Sequence, residues 1–232
     1  MVGFKKYQNK KIAIYGLGIT GLSVAKVFKK NKIKTLCWDD NVKTRERIKK
    51  IGFNVKRFWK EGNQQVDNII ISPGIDIDKC KLKKYLKKNK QKVLTDLDIF
   101  FELNKKAFVI SITGTNGKST TCKILEKILK TAKFKVSVVG NIGKPILNQK
   151  KNDKKNIFII EISSYQLQYS KTFRSQHAAI LNISPDHLER HKNIKNYIRV
   201  KSKIFLAQGS SDYSYINLEN KHSKSIKKIF KE

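Results

Sequence analysis

The sequence predicts an α/β fold with mainly parallel sheets, arranged as two units in series. Three observations carry this. Short β-type apolar runs alternate with lysine-rich amphipathic stretches, which is the pattern of βαβ units. Two glycine loops, beginning at Gly16 and Gly114, each follow such a run and open a helical pattern. A polar break at Asn104-Lys105-Lys106 separates the two, so the domain boundaries are drawn at 1–104 and 105–232.

In order, the expected strands are 11–15, 35–38 and 66–71 in the first unit, then 108–112, 135–139, 157–162, 178–183 and 213–218 in the second. Between them the apolar residues take helical spacing, as in Ile124, Leu125, Ile128 and Leu129 after the second glycine loop. The end of the chain, from Lys221 to Lys231, reads as a basic tail.

The first loop, Gly16-Leu17-Gly18-Ile19-Thr20-Gly21, has the G-x-G-x-x-G spacing of a Rossmann-like unit. Asp39 and Asp40 end the next strand, near the offset at which an acid meets a ribose. Ser72-Pro73-Gly74 closes a third strand on the same expected edge. Taken alone, the loop fits an NAD-dependent oxidoreductase, any other ligand with phosphates on a helix N-terminus, or tight strand-to-helix packing with no ligand.

The second loop is more specific. Ile112-Thr113-Gly114-Thr115-Asn116-Gly117-Lys118-Ser119-Thr120 is a phosphate-binding loop in strand–loop–helix context. Consecutive backbone N–H groups point at a phosphate, the lysine adds a point charge and the following hydroxyl can hold Mg²⁺. The common form would need glycine at position 112. Here the extra glycine is Gly114.

The net charge of +33, from 51 basic and 18 acidic residues, raises a nucleic-acid-binding module as a non-enzyme alternative. Lysine is spread through nearly every surface segment, however, which fits a solvated surface better than a binding stripe. The three cysteines, Cys37, Cys80 and Cys122, are isolated, so neither a disulfide framework nor a C-x-x-C metal site is available. With no apolar leader or bilayer-length apolar run, the chain is expected to be cytoplasmic and off the membrane; a monomer is also expected.

Three further segments begin where strands end: Gly140-Asn141-Ile142-Gly143, Glu161-Ile162-Ser163-Ser164-Tyr165-Gln166-Leu167, and the stretch from Asn182 to His191 that contains Asp186-His187. In an α/β sheet the carboxyl ends of the strands line one crevice, so Lys118, Asn141, Glu161 and His187 can converge. With the G-T-N-G-K-S-T loop, these segments resemble the Mur ligase family of ATP-dependent, peptide-bond-forming enzymes. The likeness is greatest to members that join D-glutamate to UDP-N-acetylmuramoyl-L-alanine.

That resemblance implies an acyl-phosphate route in peptidoglycan biosynthesis: ATP activates a carboxylate and the amino group of D-glutamate attacks it. It implies ATP binding by Gly114, Thr115, Asn116, Gly117, Lys118, Ser119 and Thr120, with Lys118 neutralising the transferred phosphoryl group. Ser119 and Glu161 would hold one Mg²⁺ and His187 would help hold a second. Asn141 and Ser163 would meet the muramoyl substrate. Gly18, Ile19, Thr20, Asp39, Asp40, Ser72 and Gly74 would lie near its UDP part, in a loop where Asn41 replaces the basic residue of some members. Lys201 resembles a family lysine carbamylated by CO₂, a change that turns a repelling ammonium into a metal ligand. Lys203 is its rival by position, and a plain surface lysine is the remaining alternative. Tyr165 and Phe205 are expected to pack, and His177, His191 and His222 to serve the core or surface.

Family members have three domains. The resemblance covers the first and part of the second, so the chain is expected to lack the C-terminal ligase domain and to be inactive in amide formation on its own.

Overall fold

In the computed structural model, residues 2–60, 65–141, 144–148 and 156–231 are described. They divide into two compact units, one up to Leu103 and one from Asn104.

In the first unit four parallel strands, β1 (Ile12–Tyr15), β2 (Thr35–Trp38), β3 (Asn68–Ile71) and β4 (Val93–Leu94), lie in the order β2-β1-β3-β4. Their side chains are nearly all apolar, and β1 is buried along its whole length, as a sheet covered on both faces requires. The helices α1 (Ile19–Lys30), α2 (Val42–Lys50) and α3 (Lys83–Lys88) form the crossovers, and α4 (Asp96–Leu103) follows the last strand. β1 sits between β2 and β3, so the chain leaves it first to one side and then to the other. The crevice beyond the carboxyl ends of β1 and β3 is the place where such sheets take ligands.

The second unit is a five-stranded parallel sheet in the order β6-β7-β5-β8-β9, formed by β5 (Phe108–Thr113), β6 (Lys135–Gly140), β7 (Asn156–Glu161), β8 (His177–Ile180) and β9 (Tyr213–Ile216). Its helices are α5 (Lys118–Thr131), α6 (Ser164–Gln168), α7 (Leu188–His191), α8 (Ile194–Ser202) and α9 (Ser223–Lys231). The core gathers Ile112, Cys122 and Ile159, with Leu125 and Leu129 of α5 against it, while Ile124 and Ile128 face outward.

The α/β class and the parallel sheets are as the sequence predicts. Two elements differ. β4 is only two residues long, too short to carry an alternation signal, and it exists because Val93 and Leu94 pair with Ile69 and Ile70. The basic stretch near the end is a helix, α9: its Lys224, Lys227 and Lys228 are exposed while Ile226 is buried and holds the helical face down. Among the described residues no helix is long and apolar enough to cross a membrane.

Candidate functional site

The phosphate-binding loop joins central strand β5 to α5. Gly117 caps α5 with φ +80°, a left-handed conformation that costs glycine nothing and a β-carbon-bearing residue about 1 kcal/mol or more. The loop is strapped from behind by the segment after β8. Asn182 takes the Thr115 amide on its carbonyl at 3.0 Å and the Asn116 amide on its side-chain oxygen at 2.9 Å. It returns a hydrogen bond from Nδ2 to the Asn116 carbonyl at 3.1 Å. The Thr115 hydroxyl donates to the Ser184 carbonyl and accepts from the Ser184 amide. Thr115 and Asn116 therefore shape the loop, and the amides opening α5, at Lys118, Ser119 and Thr120, are the ones that helix geometry leaves without intrahelical acceptors. That is the donor set an anion needs.

The sheet brings two sequence-separated groups, Glu161 and Asn141, to this helix start. Glu161, at the end of β7, is 1% exposed. Its Oε2 accepts from the Ser119 hydroxyl at 2.9 Å and its Oε1 from Asn141 Nδ2 at 3.0 Å. The Asn141 amide donates to the Glu161 carbonyl at 2.9 Å, and Gly140, at φ +111°, lets the two chains approach: a β-carbon there would lie 2.2 Å from that oxygen. Ile142 and Gly143 lie outside the described residues. A buried carboxylate beside a hydroxyl and an amide oxygen offers the hard oxygen ligands that suit Mg²⁺. Among the described residues no three His, Cys, Asp or Glu side chains cluster as a ready metal site. The carboxylate and hydroxyl would have to share an ion with groups outside that set, such as phosphate oxygens.

Lys118 folds back on its own loop, donating to the carbonyls of Gly114 at 2.9 Å and Thr115 at 2.7 Å. Lys201, on α8, is 2% exposed and donates to the same Gly114 carbonyl at 2.8 Å and to Thr113 Oγ1 at 3.3 Å. Its ammonium also lies 4.8 Å from the centre of the Tyr197 ring. Burial and the neighbouring Lys118 charge push its pKa down to about 7, with Asp186 acting weakly the other way. Lys203, its rival, points elsewhere and donates to the carbonyls of Gln168 and Ser170.

His187 stands slightly apart. It caps α7 at φ +52°, is about two-fifths exposed, and contacts Tyr165, whose hydroxyl lies 3.1 Å from Nδ1, and Asp186, 3.4 Å from Nε2. Among the described residues no hydrogen bond links it to Ser119, Glu161 or Lys201. Tyr165 is thus more than a packing residue, because it positions the imidazole; Phe205 is buried packing. His191 is also buried and held neutral, its pKa lowered to about 4 by burial and the positive charge of Arg190. Ser163 is engaged locally: with Gln166 it forms a capping box that starts α6.

In the first unit the glycine loop is open at Gly18, where an added β-carbon would meet nothing within 4 Å, and Ile19 is 81% exposed. Thr20 follows in the first turn of α1. Ser72 Oγ donates to the Gly16 carbonyl at 2.7 Å, tying the ends of β1 and β3 together, while Gly74 has open space around it. The two acids are tied inward. Asp39 accepts from the Leu17 amide at 2.6 Å and the Asn41 amide at 2.9 Å, and Asp40 accepts from the buried Tyr15 hydroxyl at 2.6 Å. The sequence reading quoted Asn182 and Asp186 within a motif without giving them a role and expected Tyr165 to pack; the strand-end position of Asn182 was the available signal.

Comparison with known proteins follows the same division. Residues 112–232 match the Mur ligase middle domain and residues 10–93 match the Mur ligase MurD-like N-terminal domain. A UDP-N-acetylmuramoylalanine--D-glutamate ligase from Rickettsia prowazekii (strain Madrid E) is 36% identical over 222 residues, which cover 95% of this chain and 49% of that protein. The protein of the same name from Thermoanaerobacter sp. (strain X514) is 36% identical over 228 residues, covering 95% and 50%. The chain spans about half the length of the curated relatives it matches. Among solved structures, UDP-N-acetylmuramate:L-alanyl-gamma-D-glutamyl-meso-diaminopimelate ligase from Neisseria meningitides aligns over 94% of this chain and 74% of its own, with a TM-score of 0.58 and 15% identity. UDP-N-acetylmuramate-alanine ligase from Thermotoga maritima aligns over 94% and 51%, with a TM-score of 0.52 and 18% identity. At those identities the likeness is one of fold.

Proposed function

This chain belongs to the Mur ligase family, and on that premise we propose that it carries the UDP-substrate-binding domain, 1–104, and the ATP-binding domain, 105–232, of a ligase that adds D-glutamate to UDP-N-acetylmuramoyl-L-alanine in peptidoglycan biosynthesis. The observation that carries the reading is the convergence of Ser119, Glu161 and Asn141 at the start of α5, whose first amides helix geometry leaves without intrahelical acceptors.

In this reading the amides of Lys118, Ser119 and Thr120 receive the ATP phosphates. Lys118 leaves the Gly114 and Thr115 carbonyls and turns its charge to the transferred phosphoryl group. Ser119 and Glu161 hold Mg²⁺, which when bound neutralises phosphate charge and lets an anionic acceptor approach an anionic donor. His187, oriented by Tyr165, helps hold a second ion. Lys201 in carbamylated form would add an anionic oxygen ligand; as an ammonium it cannot ligate a cation. Asn141 faces the muramoyl substrate. In the first unit Gly18, Ile19, Thr20, Asp40, Ser72 and Gly74 receive the UDP moiety, and Asp39 holds the loop in shape.

The test is calorimetric titration of the 232-residue chain with ATP and Mg²⁺. Binding is expected, and Lys118→Ala should weaken it about 10- to 100-fold, the value of a charge-assisted contact. Undiminished affinity in that variant would refute the role given to Lys118.

A further inference from the structure

We propose that Arg45 is the cation of the first unit that meets the diphosphate of a bound nucleotide, an inference that rests on reading this unit as the UDP site. The three loops at the carboxyl edge of its sheet, 16–21, 39–41 and 72–74, contain two aspartates and no lysine or arginine. A diphosphate brought to that edge would meet carboxylates and needs a positive group held close by.

Arg45 is held there by three separate contacts. Asn41 caps α2 by accepting from the Thr44 amide at 3.0 Å, so the helix begins directly after the acids. One turn in, the Arg45 guanidinium lies 4.4 Å from the centre of the Trp38 ring. Its Nη1 then donates to the carbonyls of Asp39 at 2.7 Å and Asp40 at 3.1 Å. Trp38 is itself part of the loop framework, because its carbonyl accepts from the Gly16 amide at 2.9 Å, and the Asp39 carboxylate holds the Leu17 amide. The guanidinium is thereby fixed one residue away from the groups that shape the glycine loop.

Both of its hydrogen bonds leave from Nη1. Among the described residues Nε and Nη2 have no acceptor, and the side chain is only half-buried. A planar fork with one arm anchored and the rest open is suited to phosphate oxygens, since the ordering cost has been met in advance. Both acids have other partners: the Asp39 carboxylate accepts from two amides and Asp40 Oδ2 from Tyr15, while Asp40 Oδ1, buried, has no hydrogen-bond partner among the described residues and makes none with Arg45. Arg57 shares the Trp38 ring at 5.6 Å but has another partner besides the ring.

Calorimetric titration of the full chain with UDP and, separately, with uridine tests the assignment. The unsubstituted chain should bind UDP more tightly than uridine. Arg45→Gln should lose about tenfold or more for UDP while its uridine affinity stays unchanged, and Arg45→Lys should fall between. Equal losses for UDP and uridine in Arg45→Gln would make Arg45 a strut of the β2–α2 turn and overturn the proposal, as would unchanged UDP affinity. Both of those outcomes leave the UDP site itself standing. An unsubstituted chain that binds neither ligand would overturn the UDP site and this assignment together.

Discussion

Lys118 and Lys201 donate to the same acceptor: their ammonium nitrogens lie 2.9 and 2.8 Å from the carbonyl oxygen of Gly114. Lys201 is buried there, and among the described residues it has no carboxylate within ion-pair distance. Burying a charge beside a like charge costs stability, and cores commonly gain from an apolar replacement of similar length. Lys201→Met should therefore leave the unfolding free energy unchanged or raise it by up to about 2 kcal/mol. Urea denaturation measures this. A loss of more than about 2 kcal/mol would show instead that the ammonium braces the loop.

Two of the three glycines of the first loop, Gly21 and Gly18, should respond differently. A β-carbon on Gly21 would lie 1.8 Å from the Gly16 carbonyl oxygen, a backbone atom that cannot step aside. Gly21→Ala should cost about 3 kcal/mol or more, at the upper end of overpacking effects. Gly18→Ala meets open space and an ordinary negative φ of −67°, so it should change stability by no more than about 0.5 kcal/mol. Thermal denaturation of both variants, side by side, separates the packing role of one glycine from the open approach at the other.

Acid should loosen the link between β8 and β9. The Asp212 side chain, 1% exposed in a half-buried residue, accepts from Arg174 Nε at 2.7 Å, Arg174 Nη2 at 3.1 Å and the Gly209 amide at 2.8 Å. The Arg174 hydrogen bonds hold its carboxyl below the usual carboxylate range. As pH falls the unfolded chain takes up this proton first, at about 3.9, so the stabilisation is complete above that value and disappears below it, through the lowered folded value. Asp212→Asn should cost about 1–2 kcal/mol at neutral pH. In urea melts from neutral pH down into the acid range, the gap between the two proteins should close; a gap that persists in acid would contradict the assignment.

The thiols should react in a fixed order. Burial pushes the Cys37 thiol up to about 11, and burial with the Glu161 charge pushes the Cys122 thiol up to about 12. Cys80 is only partly buried, although burial raises its pKa too. Iodoacetamide at mildly alkaline pH should label Cys80 at least about tenfold faster than the others, because access and thiolate fraction both favour it. Peptide mass spectrometry reads the order; Cys122 reacting first would mean that the α5 face opens readily.

Much of this protein was legible in its residues. Strands such as Thr35–Trp38, the glycine loops and the acid at the end of β7 announce themselves through apolar runs, turn residues and motif spacing, all local properties of the chain. The family resemblance rested on those motifs and agrees with the matched domains. What could not be read locally are the pairings between distant segments. Val93–Leu94 is a strand only because β3 lies beside it. Ser163, expected at the substrate, also caps α6, and Tyr165, expected to pack, also reaches His187. Asn182 straps the phosphate loop from the end of another strand. The sequence by itself determined the α/β class, the family and the chemical types at the loops, because periodicity and motif spacing are written in consecutive residues. Only the tertiary structure decided which oxygens and amides are already spent within the protein and which stay open, because that depends on the sheet order that sets strand ends side by side.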